Sequence, residues 1–279
     1  LRPDGCDQED GDGFDGYDVG CTALAMLAYL GFGHTHESGE FPEFVAVMRK
    51  AMDWMIAQQV KDADPKLNGL FGLPRDDADE WIYNHSIATM AMSELLLLSH
   101  DKIKLSKPVE NATKWCLRAQ NPGYGWKYGY QAGRNDTSVT GWMVLALKTA
   151  KVCAQSRYIK IRKKDFDPAF EGALKWFESC TSDRSGICGY ENPGDEGSRL
   201  QAAYPEPYPY SKDLSCMTAV SVLCRIFAGE KTSSAAIKSG TAVLMDEIPR
   251  WRPQQGKRKS KINLYYWYYA SYALFQFGG

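Results

Sequence analysis

A tryptophan returns at positions 54, 115 and 176, in steps of 61 residues, each time inside the same short pattern. The three copies are Ala51-Met52-Asp53-Trp54, Ala112-Thr113-Lys114-Trp115 and Ala173-Leu174-Lys175-Trp176. After each comes a polar helix end and a turn that closes on an aromatic residue. These turns are Gly69-Leu70-Phe71-Gly72, Gly123-Tyr124-Gly125-Trp126 and Gly186-Ile187-Cys188-Gly189-Tyr190. A fixed period of this size means one supersecondary unit, copied and stacked so that each copy covers its neighbour's apolar face.

Each unit reads as two helices. The Trp-bearing stretches carry apolar residues at helical spacing on one side, as in Val45, Met48, Met52, Met55 and Ile56, and charges on the other. Between them lie stretches that are apolar nearly all round and rich in small residues: Val19–Leu30, Ser86–Leu98, Val139–Leu147 and Met217–Phe227. A fifth, Tyr265–Phe277, is aromatic instead. A helix without a polar face is expected to be buried on all sides. None has the ~18–20 uninterrupted apolar residues of a membrane span, and Glu94 and Arg225 break two of them, so no transmembrane segment is expected. Amphipathic and all-apolar helices in alternation predict an all-α fold: an α/α toroid, or barrel, with parallel inner helices and antiparallel outer ones. A straight solenoid is the competitor, but its helices normally keep one polar face.

Aligning the inner helices at Thr22, Ala88, Thr140, Thr218 and Ala270 exposes one long step, occupied by the extended Tyr/Pro segment Tyr204–Tyr210. Residues 1–279 are expected to form one repeat domain, and the Gln8–Phe14 stretch, spaced like Gln120–Trp126, reads as the tail of an absent outer helix. The expectation is therefore an excised or processed part of a longer chain. A net charge of −1 argues against nucleic acid as a partner. The one basic run, Lys257–Lys261, lies between helices and reads as a solvated loop. Eight cysteines contain no CxxC pair, which leaves a structural zinc site without support. Cys21, Cys216 and Cys224 read as small core residues, whereas Cys180 and Cys188 flank a tight turn and stay open between free thiols and a disulfide. The compartment is left open by these residues.

The Gln–x–x–Gly–x–Gly–aromatic turn, the Trp helices and the small-residue inner helices together resemble the prenyltransferase and squalene-cyclase repeat over nearly the whole chain. Asp18–Ala23, Gly33–His36, Tyr83–Thr89, Asp136–Trp142 and Tyr265–Ala270 look most like a bacterial branch of such repeat-containing proteins. The resemblance implies an α/α toroid with a central cavity. It also supplies two chemistries to compare. Triterpene cyclases protonate an alkene with Asp–x–Asp–Asp–Thr–Ala; here Asp18, Thr22 and Ala23 match, but Gly20 and Cys21 replace the acidic pair. A lone Asp is ionised near neutrality and is too weak an acid for that step. Protein prenyltransferases bind zinc through Asp–x–Cys and a His; here Asp136-Thr137-Ser138 places a serine where the cysteine ligand is needed. Neither chemistry is expected, and no cofactor or metal follows.

The remaining candidates sit at the starts of the inner helices. The alignment puts Asp18, Asn84 and Asp136 at one position, with Asp213 one residue earlier and Tyr266 at the equivalent place in the last repeat. Asp and Asn there are natural helix N-caps. Read functionally, Asp18, Tyr83, Asn84, Asp136, Trp142, Asp213, Tyr266, Trp267 and Tyr269 would line an entrance, with His85 as the proton-transfer group and Asp18 or Asp136 as its partner. His34 and His36 fall at the other end, where two ligands without a carboxylate at fitting distance make a weak metal pair. The Asp10–Asp18 stretch fails as a calcium loop, since Phe14 and Cys21 stand where oxygen ligands are required. The leading expectation is a toroid that binds a hydrophobic or amphipathic small molecule in its cavity. The alternatives are an acid–base enzyme acting through His85 on a lipid or glycan, and a scaffold that holds a protein partner through the Tyr/Pro segment or the basic run.

Overall fold

A computed structural model of the chain describes residues 15–74, 81–193, 195, 215–248 and 263–278. Nine α-helices lie among the described residues, with two 3-10 turns and two isolated β-bridges. The chain is all-α, as its repeat pattern predicts. It forms two compact units, Leu1–Trp115 and Cys116–Gly279. The Tyr204–Tyr210 segment, the Lys257–Lys261 run and Asp213 lie outside the described residues.

In the first unit, α1 (Asp18–Gly31) packs on α2 (Pro42–Ala57) and on α3 (Trp81–Ser99), and α4 (Lys102–Ala119) follows α3 after a two-residue turn. That turn is possible because His100 takes a left-handed conformation, φ 60°, and its N–H bonds Leu96 O at 3.0 Å. The α2 face is Met48, Met52 and Met55, all buried, as its spacing predicts. α3 is buried on every side through its first three turns; Thr89 and Ser93 satisfy their hydroxyls on the carbonyls one turn back, at 2.7 and 2.6 Å. The Asn84 side chain lies close against Gly20, so the starts of α1 and α3 meet.

In the second unit, α5 (Thr137–Gln155), α7 (Ser215–Ala228) and α9 (Leu264–Gly278) pack in succession, with α6 (Asp167–Cys180) and α8 (Ala235–Asp246) against them. Gly141 lets α5 approach α7, because a side chain there would collide with Val220. The N-terminal ends of the three helices gather: Asn263 reaches Cys216 at 3.2 Å, and Tyr265 reaches Ser138 at 2.9 Å. Asn263 also caps α9, accepting from Tyr266 N at 2.9 Å.

The repeat has a physical basis that the pattern only hinted at. Gln59 and Gln120 each donate Nε2 to a carbonyl 49 residues ahead, Pro108 O at 2.9 Å and Ala169 O at 3.0 Å. The same turn is then clasped to the next apolar helix by a side chain that accepts a backbone N–H. His85 Nδ1 accepts from Phe71 N, Thr140 Oγ1 from Trp126 N and Thr218 Oγ1 from Cys188 N, at 3.0, 3.0 and 3.1 Å. The turn glycines Gly123 and Gly186 lie at φ 76° and 71°, which side-chain-bearing residues rarely adopt.

Two sequence readings are corrected. The clasp makes His85, not Ala88, the counterpart of Thr140 and Thr218; a slip of three residues is nearly one helical turn and preserves a small-residue pattern. The burial of all five apolar helices holds for α3, α5 and α7 but not for the other two. α1 buries Val19, Ala23, Met26 and Leu30 and exposes Leu24, while α9 buries Tyr266, Tyr269, Ala270 and Ala273 and exposes Tyr268 and Phe275. Cys180 and Cys188 are free thiols: Cys180 donates to Glu191 O at 3.1 Å, and burial pushes its thiol up to about 12, with Cys188 adding to the shift. No described helix is long and apolar enough to cross a membrane.

Candidate functional site

A cleft opens in the first unit at the starts of α1 and α3. It encloses about 800 Å³ and is walled by Val19, Trp54, Phe71, Leu73 and Trp81, with Asp18, Asn84, Gln58 and Gln59 as its polar groups. That volume falls within the ~300–1,000 Å³ of ordinary small-molecule sites, and its wall is shared nearly equally between apolar and polar groups, as an amphipathic ligand needs. Of the periodic tryptophans, Trp115 is fully buried, whereas Trp54 keeps 36% of its surface exposed on the cleft.

Asp18 and Asn84 come together here, though not as equivalent caps. Asp18 is the first residue of α1, and the cap position before it, Tyr17, makes no side-chain cap bond. Asn84 sits inside the first turn of α3 and caps the neighbouring helix instead. Its Oδ1 accepts from Gly20 N at 3.1 Å while its Nδ2 donates to Gly16 O at 2.5 Å. With the Gly20 N–H taken, and with the Asp18 carboxylate on the lining, the cleft does not favour the anionic ligand that a bare helix N-terminus would.

His85 is turned away from solvent, 0% exposed. Its Nδ1 is committed to Phe71 N, and its ring meets the Trp115 ring edge-on at 4.6 Å. A group that shuttles protons needs access to solvent or substrate, and the observed contacts give this imidazole a clasping role. The adjacent Tyr83 is half-buried, and its carbonyl accepts from Ser86 Oγ at 2.9 Å.

Asp136 does act as a cap in the second unit, accepting from Val139 N at 2.7 Å at the start of α5. It stands beside a partly buried polar group: Lys127 pairs with Glu191, and Tyr128 bonds Tyr190 at 2.7 Å. Burial pushes the Asp136 carboxyl up to about 6, against the lowering pull of the Val139 N–H, Lys127 and Tyr190. A carboxyl raised on folding contributes full stability below its unfolded value near 3.8, and this is lost as pH rises through about 6. Asp136→Asn keeps a capping oxygen and removes the charge. Thermal unfolding should therefore show the variant more stable than the parent at pH 8, by on the order of 2 kcal/mol, with the gain gone at pH 4. Equal differences at both pH values would contradict a buried charge at this position.

The predicted aromatic residues divide likewise. Trp142, Tyr265, Tyr268 and Tyr269 form one packed group, with Trp142 stacked on Tyr268 at 5.7 Å and edge-on to Tyr269 at 5.6 Å. Tyr266 is buried, and its hydroxyl donates to Glu247 O at 2.8 Å. Trp267 is half-buried. Sequence reasoning missed Trp54, Phe71, Leu73 and Trp81 as cleft residues, because each reads as an ordinary position of a repeat. It also missed Asp101, which meets His36 across 65 residues of chain at 3.1 Å. Comparison of the chain with protein-family models, with curated proteins and with solved structures finds no match.

Proposed function

We propose that this chain is an α/α toroid of the prenyltransferase and squalene-cyclase type that binds a hydrophobic or amphipathic small molecule without cyclising it or using zinc at Asp136. The architecture is supported by the alternating helix classes, by the three helices buried on all sides and by the gathered N-terminal ends of α5, α7 and α9. The observation that carries the binding function is the 800 Å³ cleft walled by Trp54, Phe71, Leu73 and Trp81. Asp18 on that lining selects a neutral or cationic polar end over a phosphate.

Titration with farnesol, a neutral prenyl alcohol, or with a fatty alcohol of similar length tests the reading through the fluorescence of Trp54 and Trp81. The expected result is saturable quenching, weakened about tenfold or more by Leu73→Arg. Leu73 is 63% exposed, so this substitution leaves the fold intact while placing a charge in the cleft. No saturable quenching by either alcohol, or equal affinity in the variant, would overturn the reading.

A further inference from the structure

We propose that His36, Glu37 and Asp101 form a binding site for a divalent transition-metal ion of the zinc class. Their ligand atoms all lie within 4.8 Å of one another. His36 Nε2 stands 3.1 Å from Asp101 Oδ2 and 3.6 Å from Glu37 Oε1. Ligand bonds of ~2.0–2.2 Å at tetrahedral angles place neighbouring ligand atoms about 3.4 Å apart, between these two separations. Two carboxylates and one neutral imidazole carry the charge that balances a divalent cation, and a nitrogen-plus-oxygen set suits zinc, cobalt or manganese.

The loop that presents the ligands is built rather than slack. Arg49 donates two N–H groups to the His36 carbonyl, at 3.2 and 3.1 Å. The Thr35 hydroxyl accepts from Glu37 N and Ser38 N at 3.2 and 3.0 Å, and Thr35 N bonds Ser38 O at 2.7 Å. Asp101 is fixed from the other side, since its Oδ1 caps α4 by accepting from Lys104 N at 3.0 Å, which leaves Oδ2 for the site.

His36 is 1% exposed, so its ring is held in place with Nε2 turned to the Asp101 and Glu37 carboxylates. Glu37 is 54% exposed, so the ion would remain open to water and keep a coordination position free for a further oxygen ligand.

The test is a titration of metal-free protein with Zn²⁺ by calorimetry and with Co²⁺ by visible absorption. One ion should bind per chain, the Co²⁺ spectrum should lack a thiolate charge-transfer band, and Zn²⁺ should raise the melting temperature. Glu37→Gln, on an exposed side chain, should weaken binding about tenfold or more. Asp101→Asn, which keeps the α4 cap, should abolish it together with the Zn²⁺-dependent melting shift. No uptake by the parent protein would overturn the proposal. So would binding that neither variant weakens, which places the ion on a cysteine or on another histidine.

Discussion

Trp115→Ala lowers unfolding stability by about 3–5 kcal/mol, the range for removing a buried Trp or Phe from a core. The Trp115 indole is fully buried, donates Nε1 to Lys66 O at 2.8 Å, and packs edge-on to His85 at 4.6 Å and to Trp81 at 5.7 Å. Its loss leaves a cavity behind the His85 clasp and leaves the Lys66 carbonyl without that donor. The same change at Trp54, one period of 61 residues earlier, should cost under about 1 kcal/mol, because that side chain is partly exposed on the cleft. Urea denaturation of the two variants side by side checks the contrast. Equal costs would mean that the three periodic tryptophans do one job, which their burial denies.

Arg225→Met should lower stability by about 3 kcal/mol. Arg225 is 3% exposed within α7, yet each of its three guanidinium nitrogens donates. It donates to Glu230 at 2.9 Å, to Glu178 at 3.0 Å, to Ser221 at 3.2 Å and to Thr181 at 3.4 Å. A methionine fills much of the volume but leaves Glu230 with only the Ser234 hydroxyl and no countercharge, and takes the guanidinium from Ser221. Glu178 reaches solvent, which keeps the cost at the lower end of what a broken buried pair normally shows. Arg225→Lys should fall between the two, since one ammonium cannot span four acceptors. Denaturant midpoints for the pair check this, and a Met variant as stable as the parent would contradict the bonded network.

The fold was legible in the sequence wherever packing writes a period. The Met48, Met52 and Met55 face and the all-round burial of the first turns of α3, α5 and α7 follow from residue spacing alone. The exposed sides of α1 and α9 were not legible, because apolar composition does not say whether a neighbour is present to cover a face. The alignment placed Ala88 where His85 belongs because both positions fit a helix of small residues; only the bond from Phe71 N fixes the register. The site was less legible still. Asp18 and Asn84 were singled out as helix caps, yet Asn84 caps α1 from α3, a contact across 64 residues that no local pattern encodes. Asp101 joins His36 for the same reason. Sites assembled from ordinary residues of separate repeats leave no period to read.

Photoaffinity labelling shows directly whether the cleft between the starts of α1 and α3 takes a hydrophobic or amphipathic ligand. A diazirine-bearing prenyl alcohol would be irradiated with the protein, and the modified peptides mapped by mass spectrometry. The expected result is saturable labelling of the peptides that carry Trp54, Leu73 and Trp81, competed away by unlabelled farnesol and lost in Leu73→Arg. Labelling that does not saturate, or that saturates on peptides away from these residues, would contradict it.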